Sequence, residues 1–452
     1  MSDLTSARDQ QFARMRDTAR EIFTSALKNA SIENAFAPSV HCERRVLRIG
    51  DDLHDLDSYN RVFVVSIGKA AHTMAAALEA QVGSSLEGIV ASPVEAVSQV
   101  RGFRYFRGGH PTPTAESIQA ASAILNSLRS LNSDSLVIFM ISGGGSSIVE
   151  KPVDDEISLP DLAATYRALV HSGAPIAEIN AIRKHLSAVK GGRLAQAAYP
   201  AQQVSILVSD VPDNTPDALA SGPTMPDSTS ISDCERIAAK YNLIEQLPSS
   251  VADLFRHHAL DETPKSDDPA FARARWWTVL SNKIAVDEAI AAATRAGFVV
   301  EVDNSCDDQP YDKAAAYLLN RLRELRSRER PSHYLPNKAS CVCLISGGEV
   351  TVTVRNGGIG GRNQQFALAC AEQIAGENIT VLSAGTDGID GNSPAAGAIV
   401  DGSTLNRAGS AESVRHALSS FNTYPLFDTL RDALVTGPTG NNLRDLRILL
   451  AY

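Results

Sequence analysis

The residues Ser142-Gly143-Gly144-Gly145-Ser146-Ser147 follow directly on the apolar run Leu136-Val137-Ile138-Phe139-Met140-Ile141. A run of that length predicts a buried strand, and three glycines after it let the chain turn sharply and bare its amides. Successive amides make a nest for an anion, and the flanking hydroxyls add donors for phosphate oxygens. A plain strand-to-helix turn would use the same letters. The pattern has a near echo, because Cys341-Val342-Cys343-Leu344-Ile345 runs into Ser346-Gly347-Gly348-Glu349.

Charged partners for such a loop come from several places along the chain. Arg61 to Ile67 reads as a strand, Gly68 as a turn and Lys69 to Ala80 as an alanine-rich helix. Lys69 then sits at a helix start, where an ammonium can act as a point charge on a transferring phosphoryl group. The glycine spacing and the Ser/Thr of a Walker A loop are missing around it. Farther on, Asn356-Gly357-Gly358-Ile359-Gly360-Gly361-Arg362 follows the alternating run Val350 to Val354 and precedes an apolar helix from Phe366 to Ile374. Gly360 and Gly361 permit close backbone approach, and Arg362 offers a bidentate fork near the positive end of a helix. Asp210 and Asp213 follow the strand Val204 to Val208, and Asp387 and Asp390 follow Ile379 to Leu382. Carboxylates so placed either hold Mg²⁺ with phosphate oxygens or simply close Asx-turns. His110, in Gly108-Gly109-His110-Pro111, is a ligand-binding or acid-base candidate, or else a turn residue. Gly-x-Ser-x-Gly, His-Glu-x-x-His, Cys-x-x-Cys and Gly-x-Gly-x-x-Gly are all absent.

The elements that must position these groups alternate between strand and helix, which predicts doubly wound, mostly parallel α/β sheets with ligands at the carboxyl ends of strands. A helix is expected from Ala115 with Thr114 as its N-cap, and another through Ile176, Ile179, Ile182, Leu186 and Val189, stopped by Gly191-Gly192. At 452 residues the chain exceeds one ordinary core. The polar, proline-bearing stretch Asp261 to Pro269 reads as the connection between two domains, 1–260 and 270–452. Beyond it, the strands Trp277 to Leu280 and Gly297 to Val302 flank a helix from Ile284 to Ala296, as one more α/β unit. Arg321 to Arg330 reads as a solvated helix end, followed by loop to Ala339.

The formal charge of -10 opposes binding to nucleic acid or an anionic membrane, and no apolar run reaches the roughly 20 residues that span a bilayer. The first residues show helical periodicity without a signal-peptide core, so a cytoplasmic enzyme is expected. Six scattered cysteines fit reduced thiols, and Cys341 and Cys343, at strand spacing, are expected to pack as small hydrophobes. Oligomeric state is not legible.

Taken in order, Ser66-Ile67-Gly68-Lys69-Ala70-Ala71, Gly109-His110-Pro111, Ser142 to Ser147, Arg183-Lys184-His185-Leu186, Lys190-Gly191-Gly192-Arg193-Leu194-Ala195, Ser209-Asp210-Val211, Ala220-Ser221-Gly222-Pro223-Thr224, Gly360-Gly361-Arg362-Asn363-Gln364 and Gly385-Thr386-Asp387-Gly388 resemble the class II glycerate 2-kinase family. Members have also been labelled hydroxypyruvate reductases, and the likeness includes the carboxyl-terminal MOFRL-type domain. The resemblance implies two α/β domains facing across a cleft and phosphoryl transfer from ATP, with Mg²⁺, to the 2-hydroxyl of D-glycerate. The family's catalytic lysine matches Lys69 and its catalytic arginine matches Arg362. Phosphate cradling falls to Gly143, Gly144, Gly145, Ser146 and Ser147, while Asp210 or Asp387 holds the metal or takes the hydroxyl proton. Ile359, Gln365 and Pro394 depart from the family pattern. An NAD(P)H-dependent reductase and a non-catalytic sugar-acid or nucleotide sensor are the alternatives.

Overall fold

The computed structural model describes residues 2–83, 86–329, 341–354 and 357–452, with side chains from residue 7 onward. The expected loop from Arg330 to Ala339, and Asn356, lie outside the described residues. The chain divides into two compact units, one spanning Ile32–Val279 and the other combining Met1–Ser31 with Leu280–Tyr452.

The Ile32–Val279 unit opens with an antiparallel three-stranded sheet of β1 (Val40–Glu43), β2 (Val46–Ile49) and β3 (Asp52–Asp55). Its main sheet contains β4 (Arg61–Ile67), β5 (Glu87–Ser92), β6 (Phe103–Arg107), β7 (Ser135–Ser142), β8 (Gln202–Val208) and β9 (Ala274–Leu280), in the order β6-β5-β4-β7-β8-β9. The pairs from β6 through β8 are parallel. Every residue of β7 is buried, as a central strand covered on both faces must be. Thr114 caps the helix Ala115–Leu128 through a capping box with Ser117, and that helix sets Ala120, Ala121, Ile124 and Leu128 against the sheet. A satellite core of Leu162, Leu169, Ile182, Cys234, Val251 and Phe255 joins four further helices.

The helix from Ile176 ends at His185, short of Gly191. Val153 N–H donates to Leu186 O and Ala188 N–H to Lys151 O, so the chain leaves the helix to pair with the segment after β7. Asp261 to Pro269 is not a free connection either. Thr263 Oγ1 donates to Asp227 Oδ2 at 2.9 Å, Asp227 N–H to Pro264 O at 3.0 Å and Lys265 Nζ to Thr229 O, which fasten the stretch to this unit. The division falls at the end of β9, between Val279 and Leu280, and the strand is tied to the first unit by Trp276 Nε1 donating to Thr224 O and Trp277 Nε1 to Asp52 Oδ2.

The second unit holds β10 (Val299–Val302), β11 (Val342–Gly347), β12 (Ile379–Gly385), β13 (Gly397–Asp401), β14 (Ala433–Leu434) and β15 (Asp445–Ala451), in the order β10-β11-β15-β12-β13-β14. The α/β class holds here, but the sheet is mixed rather than mostly parallel. β15 inserts between β11 and β12 antiparallel to both, and β12 and β13 form an antiparallel pair. β9 and β10, expected to flank one helix as a single α/β unit, therefore belong to different sheets. Val350 to Val354 forms no strand; Thr351 makes one bridge to Pro310, because Glu349 N–H donates to Asp307 Oδ1 and Thr351 N–H to Gln309 O. Leu322 and Leu325 are buried, so the charged end of the helix Tyr311–Arg328 is solvated on one face only. Cys343 is buried in the core and half-buried Cys341 packs against it, as small hydrophobes.

The first helix, Ser2–Asn29, belongs to this second unit and not to an amino-terminal domain of residues 1–260. It buries Ala19, Ile22, Phe23 and Ala26 against Val286, Ala289 and Ala293 of the helix Asn282–Arg295 and against Leu382, Ile399 and Ile448 of the sheet. Arg16 adds ion pairs to buried Asp401 at 3.3 Å and Asp432 at 3.1 Å. Among the described residues no helix is long and apolar enough to cross a membrane. Phe23, with no exposed surface, sets the prediction: Phe23→Ala should lower stability by about 3–5 kcal/mol, read from the urea midpoint; an unchanged midpoint would mean that the helix is not integral to the unit.

Candidate functional site

In an open parallel sheet, ligands bind where the strand order reverses, outside the carboxyl ends of the strands. Counting strands along this sheet gives the order 3-2-1-4-5-6, with the reversal between β4 and β7. Both phosphate candidates of this unit lie there, Gly68-Lys69 after β4 and the glycine loop after β7.

Gly68 has φ +121°, and a Cβ on it would overlap the hydroxyl and carbonyl of Ser142. Ser142 Oγ donates to Ile67 O at 3.2 Å and accepts from Ala70 N–H at 3.1 Å, while Lys69 N–H donates to Gly143 O at 2.9 Å. The Ser142 hydroxyl is thus a brace between the two strand ends, and the expected phosphate donor role is corrected. Lys69 lies two residues ahead of the helix Ala71–Val82, not within its first turn, with its side chain exposed.

Gly144 is in the left-handed region at φ +81° and starts a single turn, Gly145–Ile148. A Cβ on Gly144 would sit 3.2 Å from Lys69 Cγ and 3.0 Å from His110 Cδ2, so lysine, imidazole and loop backbone converge. Among the described residues, no protein acceptor takes the amides of Gly144, Gly145 or Ser146. Ser147 Oγ turns back to Gly144 O at 3.4 Å, and Ser146 Oγ lies 3.0 Å from Ser221 Oγ. Gly143 must lack a side chain because a Cβ would overlap the Asp210 carboxylate. Partial desolvation, and then the Lys69 ammonium, push the His110 imidazole below its usual range and favour its neutral form.

Sequence reasoning gave no role to the segment facing this loop. Ala220 and Ser221 are held at φ +51° and +61°, a conformation costly for residues with a Cβ. Gly191 N–H donates to Ser221 O and Gly192 N–H to Gly222 O, which maintain it. The order Ala-Ser-Gly-Pro carries no periodicity, so the family resemblance marked the segment and the turn letters Gly222-Pro223 hinted at a bend, but neither gave it a role.

In the second unit Arg362 is the first residue of the helix Arg362–Gln373. Its Nε and Nη2 donate to both oxygens of buried Asp445 at 2.6 and 2.9 Å, and Nη2 lies 2.7 Å from Glu349 Oε1. These carboxylates outweigh burial and raise the guanidinium pKa. Among the described residues Nη1 makes no hydrogen bond. The amino end of the helix is already occupied by Asp390, which accepts from Asn363 N–H at 3.0 Å and Gln364 N–H at 2.9 Å. A Cβ on Gly361 would overlap Asp390, and one on Gly360 would overlap Thr423 Oγ1. Both glycines serve close packing here, and the Gly360 N–H is taken by Asn392 Oδ1 at 2.9 Å. Asp387 closes an Asx-turn, accepting from Ile389 N–H at 3.1 Å. The echo loop is likewise filled: Gly347 N–H donates to Asn304 Oδ1, Gly348 N–H to Asn282 Oδ1 and Glu349 N–H to Asp307 Oδ1. Among the described residues, no three His, Cys, Asp or Glu side chains gather as metal ligands.

Burial holds the Asp390 carboxyl up at about 6, against an ordinary 3.8. Between those values the folded state binds more protons than the unfolded chain, so this group's contribution to stability falls as pH rises from about 4 to 6. The urea midpoint of the unsubstituted protein should drop more over that interval than that of Asp390→Asn. Equal changes would mean that burial does not shift the carboxyl.

With this geometry in place, two family profiles match the chain: Domain of unknown function (DUF4147) over residues 18–256, and MOFRL family over residues 342–445. The D-glycerate 2-kinase of Thermotoga maritima is 35% identical over 86% of this chain and 90% of its own length. A relative in Agrobacterium vitis with a provisional hydroxypyruvate reductase name is 36% identical over 86% of this chain and 87% of its own. A crystal structure of glycerate kinase from Thermotoga maritima superposes with a TM-score of 0.81 at 32% identity, covering 97% of this chain and 100% of that one. The chain belongs to the glycerate 2-kinase family, with its carboxyl-terminal MOFRL domain.

Proposed function

We propose that this chain transfers the γ-phosphoryl group of ATP to the 2-hydroxyl of D-glycerate, giving 2-phosphoglycerate and ADP. The observation that carries the reading is the switch-point loop, where three amides without an acceptor among the described residues lie beside Lys69 and His110. Amides of Gly144, Gly145 and Ser146 cradle phosphate oxygens, and Lys69 neutralises charge that develops on the moving phosphoryl group. Arg362 clamps an anion with Nη1 while Asp445 fixes its other edge. The hydroxyl oxygen attacks the γ-phosphorus, the bond to the β-phosphate oxygen breaks, and neutral His110 takes the hydroxyl proton. Asp210, whose carboxylate lies against Gly143, fits Mg²⁺ and would hold it there, where the ion supplies further charge neutralisation to the phosphates. Asp387 receives no chemical role, since its carboxylate closes a turn. The six cysteines are free thiols, in keeping with the cytoplasm.

One observation favours a second reading. The strand order is that of dinucleotide-binding sheets, which suits NAD(P)H-dependent reduction of hydroxypyruvate. The loop after β4 reads Gly68-Lys69-Ala70-Ala71, without the glycine fingerprint that brings backbone against a pyrophosphate.

Incubation with ATP, Mg²⁺ and D-glycerate, followed by phosphorus NMR, should yield 2-phosphoglycerate. Lys69→Ala should reduce kcat on the order of a hundredfold or more, as loss of one transition-state charge contact does, with an unchanged unfolding midpoint. No ATP-dependent product would overturn the kinase reading, 3-phosphoglycerate would overturn the regiochemistry, and NAD(P)H consumption with hydroxypyruvate would favour the reductase.

A further inference from the structure

Three residues after the glycine loop, Glu150 is fully buried. Its Oε1 accepts from Ser187 Oγ at 2.6 Å and Lys151 N–H at 3.0 Å, and its Oε2 accepts from Tyr166 Oη and Lys190 Nζ. Four donors saturate that carboxylate. Lys190 is 1% exposed, so its charge has little other compensation. Arg183, in the last turn of the helix Ile176–His185, lays its guanidinium over the Tyr166 ring with Cζ 4.6 Å from the centroid. Arg183 makes no hydrogen bond or ion pair with any described residue, and its Nε is buried without a partner.

The charges do not cancel. Lys190 and Arg183 contribute two positive charges and Glu150 one negative, while desolvation and the Glu150 charge keep the Tyr166 phenol neutral. The cluster therefore carries one uncompensated positive charge, drawn partly out of water on a residue whose neighbouring acceptor is full. Burial pushes the Arg183 guanidinium down from its usual range by more than the Glu150 charge lifts it. A single carboxylate would balance the charge and accept two parallel hydrogen bonds from the fork. A polyphosphate would bring several negative charges up to Glu150.

We infer that Arg183 is the carboxylate anchor of the hydroxy-acid substrate, held in place by its stack on Tyr166 and, through the Tyr166 hydroxyl, by Glu150. The inference rests on the kinase reading for the identity of the acid and deepens it, assigning the charged end of the substrate to the same unit as the phosphate loop. Arg183 confers specificity for an acid over a neutral polyol, and Tyr166 and Glu150 position it.

The test compares the unsubstituted protein with Arg183→Gln and Arg183→Lys. The KM for D-glycerate should rise on the order of tenfold to a hundredfold in Arg183→Gln, as expected when one side of a charge pair is removed. The KM for ATP should stay within about twofold, and the unfolding midpoint should hold. Arg183→Lys, which keeps the cation and loses the fork, should recover part of the loss, and it carries the comparison alone if Arg183→Gln does not fold. An unchanged KM for D-glycerate overturns the inference, and an equal rise for ATP reassigns Arg183 to phosphate and overturns it too. Calorimetry with D-glycerate alone separates this from the kinase reading. Binding that Arg183→Gln abolishes supports the anchor even if no phosphoryl transfer occurs, and binding equal in both proteins, or absent from the unsubstituted one, overturns it.

Discussion

The switch-point site depends on the closeness of Gly68 to Ser142. Two parallel strands end side by side there, and any side chain on Gly68 would overlap the hydroxyl and carbonyl of Ser142. That closeness lets one hydroxyl bind both Ile67 O and Ala70 N–H, and lets Lys69 N–H reach Gly143 O. Because the backbone around Lys69 and Gly143 satisfies itself in this way, the next amides are left without an acceptor among the described residues. Preorganised donors of this kind need no rearrangement when an anion arrives. The strain at Ala220 and Ser221, on the facing segment, is the second half of the same arrangement. A backbone conformation that costs free energy persists only where its surroundings enforce it, and here Gly191 and Gly192 do so from behind.

Buried charge is handled differently in the two units. In the second unit the carboxylates near Arg362 are paired, Asp445 with Arg362 and Asp307 with Arg444 at 2.6 Å, while buried Arg447 has only Gly348 O, at 2.9 Å, and the Phe366 ring beneath its guanidinium. Asp390 spends its carboxylate on helix amides. These pairings fix geometry more than they stabilise, because desolvation offsets much of what each pair gains. In the first unit the cluster around Glu150 is left one anion short. Arg447 still finds a backbone carbonyl for its fork, whereas Arg183 has no hydrogen-bond acceptor among the described residues, which leaves its fork for an external anion.

Much of the first unit was legible in the sequence. Continuous apolar runs ending in glycine mark central parallel strands, and Thr114 marks a cap, because both signals are local. Lys69 and the Gly143 to Ser147 loop could be picked out for the same reason, since each follows directly on its strand. What could not be read was set by contacts distant in sequence. The first helix joins the second unit through Phe23 and Arg16, whose partners lie hundreds of residues away. β15 runs antiparallel between β11 and β12, a placement that no periodicity in Asp445 to Ala451 announces. Polarity made Asp261 to Pro269 resemble a connection, when those polar groups are instead spent on Asp227 and Thr229.

The two Ser-Gly-Gly loops show most clearly where local letters stop being informative. Both end a buried strand and both expose their backbone to whatever stands opposite. After β11 the opposite groups are Asn304, Asn282 and Asp307, whose side-chain oxygens take the amides of Gly347, Gly348 and Glu349 in turn. After β7, among the described residues, no such oxygen takes the amides of Gly144, Gly145 or Ser146, and Lys69 and His110 stand there instead. Acceptors opposite a nest make it a structural turn, and a cation opposite it, here Lys69, makes it a place for an external anion. The motif supplies the donors in either case; the residues that face it, brought in by the rest of the fold, decide which use it has.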